Sequence, residues 1–424
     1  MAGMSAVPGL EERAQSLARR FRAVRATTRA LAARLTPEDA MVQSMPDASP
    51  AKWHLAHTSW FFEAFLLSRL ERHFRPFHPR FAFLFNSYYE AVGPRQPRPQ
   101  RGLLSRPALE EVLRYRDEVE ARVEALLPGL DAAGLQVLEL GVAHEEQHQE
   151  LLLTDVKHAF ASNPLRPAYA PDAAPPSGAP APPHTFLPRE GGLTAIGAGG
   201  EGFTFDCERP RHRIWLEPHA LGSRLVTAGE WRDFVEDGGY RRPELWLSEG
   251  WAAAQRGGWE APLYWERDGA GHAVFTLGGL RPLDPAAPVV HVSLYEADAY
   301  ARWAGARLPS EAELERAAEG AAADGALLED GRLHPAPARE GPGLRQLLGD
   351  AWEWTRSAYA PYPGFRPLEG ALGEYNGKFM VGQLVLRGGS CATPAGHLRA
   401  TYRNFFPPDA RWQFTGVRLA RDAG

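Results

Sequence analysis

Residues 170–184, APDAAPPSGAPAPPH, are too poor in large apolar side chains to build a core, and they divide the 424-residue chain. A chain of this length exceeds one ordinary core, so the stretch reads as the linker of a two-domain protein. The reading places a helical domain over 1–165, the linker over 166–185 and a second domain over 186–424. Before the linker, segments such as LEERAQSLARRFRAVRATTRALAARL repeat apolar residues at three and four positions. SPAKWHLAHTSWFFEAFLLSRL adds a second helix, with Ser49 as N-cap and Pro50 at the first helical position. RPALEEVLRYRDEVEARVEALL and AGLQVLELGVAHEEQHQELLLTDVKHAF supply two more, which predicts an antiparallel four-helix bundle. The connection over 73–105 is long for a bundle and rich in Arg, Pro and Tyr, a pattern typical of functional loops. After the linker, short β-prone pieces (HRIWLEPHAL, APVVHVS, LVLRGGS) alternate with helices at TAGEWRDFVEDG and YEADAYARWAG, which predicts an α+β domain.

Composition excludes several function classes. The net charge of −5, from 47 basic and 52 acidic residues, offers no basic face for nucleic acid or an anionic membrane surface. No apolar stretch approaches the roughly 18 residues needed to span a bilayer, and Met1 to Arg20 does not read as a signal peptide. Two cysteines, Cys207 and Cys391, fit a reduced, cytoplasmic protein better than a disulfide framework.

The chemistry concentrates in GVAHEEQHQELLL. His144 and His148 are i and i+4 on a helix, so both can face one metal ion. With Glu145 they spell H-E-x-x-H, the signature of zinc proteases. A metzincin would need glycine at 151 and histidine at 154, where the chain has Leu151 and Thr154. A thermolysin-like enzyme would need a glutamate some twenty residues on, where the linker has begun, so the peptidase reading fails in its own context. Upstream, KWHLAHTSW offers His54 and His57, either of which could complete a site across the bundle. Three neutral imidazoles leave positions open for substrate, as a catalytic metal requires, but ligand type alone does not choose between zinc and iron.

QSMPDASPAKWHLAHTSWFFE, FNSYYEAVGPRQPRPQRGLLSRP and HEEQHQELLLTDVKHAF resemble the DinB-like bundle of the sulfoxide synthases of ergothioneine biosynthesis. VSLYEADAYARWAGARLPSEAELERAA, GDAWEWTRSAYAPYPGF, VLRGGSCATPAGHLRATYRNFF and WQFTGVRLARD resemble their second domain, of the formylglycine-generating-enzyme (C-type-lectin-like) fold. The resemblance implies a non-haem Fe(II) enzyme with O₂ as co-substrate, joining a sulfur donor to imidazole C2 of hercynine (Nα-trimethylhistidine). It selects His57 as third ligand beside His144 and His148, with His54 outside the coordination sphere. It gives Gln147 a hercynine contact and leaves Glu145 without a catalytic role, on the outer face of its helix. Asn376 and Phe379, in EYNGKFMVGQLVLRGG, become further substrate contacts. The sister group of selenoneine synthases shares nearly the same motifs and takes a selenosugar.

In the 73–105 loop, Tyr88 and Tyr89 are expected to include a proton donor, Tyr89 ahead of Tyr88, because reduced oxygen needs an acid. Of Arg95, Arg98, Arg101 and Arg106, one or two are expected to hold the donor's carboxylate, the first three being the candidates, since a guanidinium does so bidentately. Val381–Gly382 stand where close relatives often carry Cys-Asn, which keeps selenium beside sulfur as the donor element. A zinc hydrolase and a non-catalytic binding module are the competing classes. The glycines of RGGS and the tryptophans of DAWEWT are read as structural.

Overall fold

The computed structural model describes residues 8–173, 180–200, 202–269 and 271–423. The chain forms two compact units, Met1–Ser162 with Glu369–Glu374, and Asn163–Leu368 with Tyr375–Gly424.

Four long helices make the first unit: α1 (Pro8–Ala32), α2 (Ala51–Phe62), α3 (Leu109–Leu126) and α4 (Ala132–Ser162). Every residue of α2 is buried, so it is the central helix, with Lys52, His54, His57, Thr58 and Ser59 inside alongside its aromatics. Gly141 lets α4 approach it closely, because a Cβ there would lie 2.4 Å from the Phe62 ring. Phe62 in turn meets Phe21 of α1 edge-on at 5.2 Å. Beyond Phe62 the helix widens into a π-turn over Glu63–Leu67, a distortion frequent beside functional sites. The carboxylate of Glu63 in that turn accepts from Tyr115 Oη at 2.7 Å and from the Phe77 amide at 2.8 Å.

One local expectation needs correcting. Pro50, not Ser49, sits at the N-cap of α2, and no side chain caps the helix. The Ser49 amide instead donates to Asp155 Oδ2 on α4 at 2.7 Å, and its hydroxyl accepts from Arg101 at 2.8 Å.

The second unit is α+β, with twelve short strands among the described residues. The first sheet holds β1 (Phe186–Arg189), β4 (His219–Gly222) and β12 (Ala420–Asp422), with β4 in the middle and all pairs antiparallel, so β1 and β12 flank the same strand. A two-stranded sheet pairs β2 (Gly192–Ile196) with β3 (His212–Leu216). Strands β5 (Trp265–Asp268), β6 (Gly271–Thr276) and β7 (Gly279–Pro282) form a meander. The fourth sheet runs β10 (Asn404–Phe406), β9 (Leu384–Arg387), β8 (Trp352–Ala358), β11 (Thr415–Gly416), with β11 parallel to β8. Its helices are α5 (Ala228–Glu236), α6 (Ser248–Gly257), α7 (Leu294–Trp303) and α8 (Glu311–Ala318). Three of them begin with reciprocal capping boxes, Thr227–Glu230, Ser293–Glu296 and Ser310–Glu313, so each start is written in the sequence as S/T-x-x-E. Trp352 and Trp354 are buried on β8, and Gly388 holds φ 101° where a Cβ would sit 2.8 Å from the Leu347 carbonyl. APVVHVS forms no strand. His291 takes φ 68° in its middle and breaks the extended run, while Val289, Val290 and Val292 remain core.

Candidate metal centre

Helices α2 and α4 bring three imidazoles together inside the bundle. The ring centroids of His57, His144 and His148 are 4.9 Å (57–144), 4.7 Å (57–148) and 4.5 Å (144–148) apart. One nitrogen of each lies within 4.8 Å of the others, and all three residues are buried.

The surroundings of His57 fix its tautomer. Its Nδ1–H donates to the Phe85 carbonyl at 2.6 Å, which leaves the lone pair on Nε2. Nε2 is buried and has no hydrogen-bond partner among the described residues, a costly state unless something accepts that lone pair. Trp53 and Trp60, one helical turn on either side, stack on the ring at 4.4 and 5.4 Å and hold its plane. Burial, with His144 next, keeps the pKa of His57 well below the usual value. Burial likewise depresses His148 strongly, reinforced by His144, and brings His144 down to about 3. Three neutral imidazoles are the donor set a divalent first-row metal accepts, so the residues present fit such an ion. His54 stands outside this trio. Its Nδ1 lies 2.8 Å from His148 Nδ1, and its Nε2 lies 3.1 Å from Asp155 Oδ2.

Glu145 departs from expectation. It is fully buried rather than exposed on an outer face: Oε1 accepts from Arg116 of α3 at 2.8 Å and Oε2 from Arg25 of α1 at 3.0 Å. Both oxygens are engaged by arginines, which suits a structural anchor and leaves no free carboxylate for a general base.

The tyrosine loop is pinned by Asn86, whose Oδ1 accepts from the Tyr89 amide at 3.0 Å and whose Nδ2 donates to the Tyr89 and Gly93 carbonyls at 3.0 and 3.1 Å. Glu374 accepts from the amides of Glu90 and Ala91 at 3.0 and 2.9 Å. Tyr89 is fully buried, its ring 5.6 Å from Trp60, the same indole that stacks on His57. Tyr88 is half-buried and stacks on Tyr89 at 4.7 Å.

The loop arginines separate clearly. Arg95 pairs with Glu90, and the exposed Arg98 donates to the Asp47 carbonyl. Arg101 is buried, donates to Ser49 Oγ at 2.8 Å and lies 3.4 Å above the Trp53 ring. It makes no ion pair among the described residues. Burial, then Arg98, pushes its pKa down to about 8 against the opposing pull of Asp155, which still leaves it charged at neutral pH. Gln147 is half-buried on α4 between His144 and His148. Asn376 and Phe379 belong to the second unit. There the Asn376 amide donates to Asp206 Oδ1 at 2.7 Å, and Phe379 stacks on Phe405 at 5.9 Å. Sequence reasoning passed over Asp155, although it lies seven residues after His148, two turns along the same helix face.

Residues 20–152 match the DinB superfamily, and residues 179–338 and 335–423 match the sulfatase-modifying factor enzyme 1-like domain. A hercynine oxygenase of Mycolicibacterium thermoresistibile is 35% identical over 409 residues, covering 89% of this chain and 88% of that protein. That of Mycolicibacterium smegmatis is 35% identical over 413 residues, covering 90% and 92%. The chain belongs to the hercynine oxygenase family. A formylglycine-generating enzyme of Streptomyces coelicolor is 30% identical over 291 residues, covering 55% of this chain and 88% of its own. In this hercynine oxygenase family member the buried histidines fall within the span matched to the DinB superfamily. No helix among the described residues is long and apolar enough to cross a membrane.

Proposed function

We propose that the protein is an Fe(II)-dependent, O₂-using enzyme that joins a thiol donor to imidazole C2 of hercynine and leaves the sulfur as a sulfoxide. The reaction balances as C2–H plus R–SH plus O₂ giving C2–S(O)–R plus water. The observation that carries this reading is the buried His57–His144–His148 cluster in a chain matched almost end to end by hercynine oxygenases.

Iron(II), held by His57, His144 and His148, supplies the redox chemistry that couples O₂ reduction to C–S bond formation. Among the described residues three protein donors gather at the site, which leaves room for small molecules. Trp53 and Trp60 wall it with apolar surface and exclude water. Gln147, half-buried beside both α4 ligands, serves the hercynine side. The Tyr89 phenol provides a proton for the oxygen atom that leaves as water. Arg101 is a buried cation without a carboxylate partner among the described residues, and it holds the donor's carboxylate.

A sulfur donor, cysteine, is the preferred reading. The departure at Val381–Gly382 weighs little against it. Gly382 takes φ 69°, a left-handed position that glycine and asparagine both occupy readily, and Val381 is 79% exposed. The hydrolase reading is disfavoured by the engagement of Glu145 with two arginines.

The test incubates the protein with Fe(II), a reductant and hercynine, and offers cysteine, γ-glutamylcysteine or a selenosugar in competition. Oxygen uptake that requires both hercynine and a donor, with a mass-identified adduct, supports the reading, and the favoured adduct names the donor. His57→Ala should lose both iron and turnover. Full iron occupancy in that variant, or peptide cleavage with zinc, would overturn it.

A further inference from the structure

One polar chain in the bundle has no part in the reaction drawn above: Ser49, Asp155 and His54, ending on His148. All are buried, on α4 and around the start of α2. Asp155 Oδ2 accepts two hydrogen bonds, from the Ser49 amide at 2.7 Å and from His54 Nε2 at 3.1 Å. A carboxylate only accepts, so His54 carries a proton on Nε2, and in the tautomer with that single proton the ring presents a lone pair on Nδ1. The atom facing that lone pair, at 2.8 Å, is His148 Nδ1. In that arrangement His148 Nδ1 bears the proton and donates, which leaves Nε2 of His148 as its lone-pair nitrogen. His57 reaches the same state by a different route, its Nδ1–H donating to the Phe85 carbonyl.

We propose that His54 is a positioning residue, which together with Asp155 locks His148 in the Nδ1–H tautomer and aims Nε2 at the metal. The inference rests on the three-histidine reading of the site. The negative charge of Asp155, relayed through a second imidazole, also makes His148 a more basic ligand, as outer carboxylates do for metal-bound histidines generally. The network extends to the loop: Ser49, which holds Asp155 through its amide, accepts from Arg101 through its hydroxyl at 2.8 Å.

The alternative is that His54 simply fills space between α2 and α4, and two substitutions separate the two roles. His54→Leu keeps apolar bulk and removes the acceptor. His54→Asn loses bulk but can place Oδ1 where Nδ1 stood and accept from His148. Affinity for Fe(II), added anaerobically to the full-length apoprotein in competition with a chromophoric chelator, should fall about 10–100-fold in His54→Leu. It should return close to wild type in His54→Asn. Asp155→Asn should lie between, because it keeps an acceptor and loses the charge. ¹⁵N NMR of the apoprotein, with the His148 signals assigned by their loss in His148→Ala, should show Nδ1 protonated in wild type and in His54→Asn. In His54→Leu the two tautomers should mix. Wild-type affinity in His54→Leu, or tighter binding by His54→Leu than by His54→Asn, overturns the positioning role while the metal centre stands. If the wild-type apoprotein itself fails to take up Fe(II), the metal reading falls and this inference with it.

Discussion

Removing the Glu145 carboxylate tests directly whether that residue is an anchor or a catalyst. The cluster around it contains Arg25, Arg116, Glu145 and Glu120, two positive and two negative charges that sum to zero. Glu145 and Arg116 are fully buried and Arg25 nearly so, whereas Glu120 reaches the surface. Glu145→Leu leaves two buried guanidiniums with one partly exposed carboxylate between them. Breaking a buried pair from one side costs about 3–5 kcal/mol, because a charge is stranded rather than a bond merely lost. Arg116 would keep the Leu55 carbonyl at 2.9 Å and Thr58 Oγ1 at 2.8 Å, and neither neutralises it. A second route gives a similar size. Burial alone would raise the Glu145 pKa, but Arg25 and Arg116 outweigh it and bring the group from 4.5 to about 2. At about 1.4 kcal/mol per pKa unit, that is on the order of 3 kcal/mol. Because the folded value is depressed, this stability is present above about pH 4.5 and is lost as the pH falls through about 2.

For a unit of this size each kcal/mol shifts Tm by about 2–4 °C, so Glu145→Leu should melt roughly 6–20 °C lower, read by circular dichroism at pH 7. Its stability should also change less than that of wild type between pH 5 and 2. Replacing both ends, Glu145→Leu with Arg116→Leu, should recover part of the loss, since Arg25 retains Glu120 at 2.8 Å. A Tm within about 2 °C of wild type, combined with loss of turnover, would refute the structural role and restore Glu145 as a catalytic group.

Tyr89→Phe should slow adduct formation by about 10²–10⁴-fold with iron binding intact, and oxidation of the donor thiol should come to compete; stopped-time product analysis reads both. Tyr88→Phe, whose ring is only half-buried, should have the smaller effect. Arg101→Gln should raise KM for the sulfur donor and leave KM for hercynine unchanged, whereas equal rises in both would place the arginine in packing on Trp53.

The helical half of the chain was legible because amphipathic periodicity is a local signal, and α1, α3 and α4 follow it closely. The choice between His54 and His57 was not. A helix buried on every side has no polar face to orient it, so three-residue spacing on α2 says nothing about direction. In the second unit the capped helices announce themselves by S/T-x-x-E, while α6, WAAAQRG after an uncapped start, carries no such mark. APVVHVS shows the reverse failure: β-branched composition predicts a strand, but the left-handed His291 forbids one. The burial of Glu145 was invisible for a different reason. Its partners lie 120 and 29 residues away along the chain, on two other helices.

Helix geometry shows why H-E-x-x-H can mislead. Residues advance about 100° each, so His144 and His148 lie about 40° apart and share one face. From the midline of that face, Glu145 is displaced by about 80° to one side and Gln147 by about 80° to the other. The motif alone cannot say which flank meets substrate, because the two are equivalent by rotation. The neighbours decide. On the Glu145 side α4 meets α1 and α3: Arg25 and Arg116 take its carboxylate, and Gln149 donates to the Val24 carbonyl at 3.0 Å. That flank is filled and charge-neutralised. On the opposite flank Gln147 is only half-buried. A glutamate could act as a base only if its flank were the open one, so two arginines remote in sequence, by taking both oxygens of Glu145, argue against the proteolytic reading of the motif.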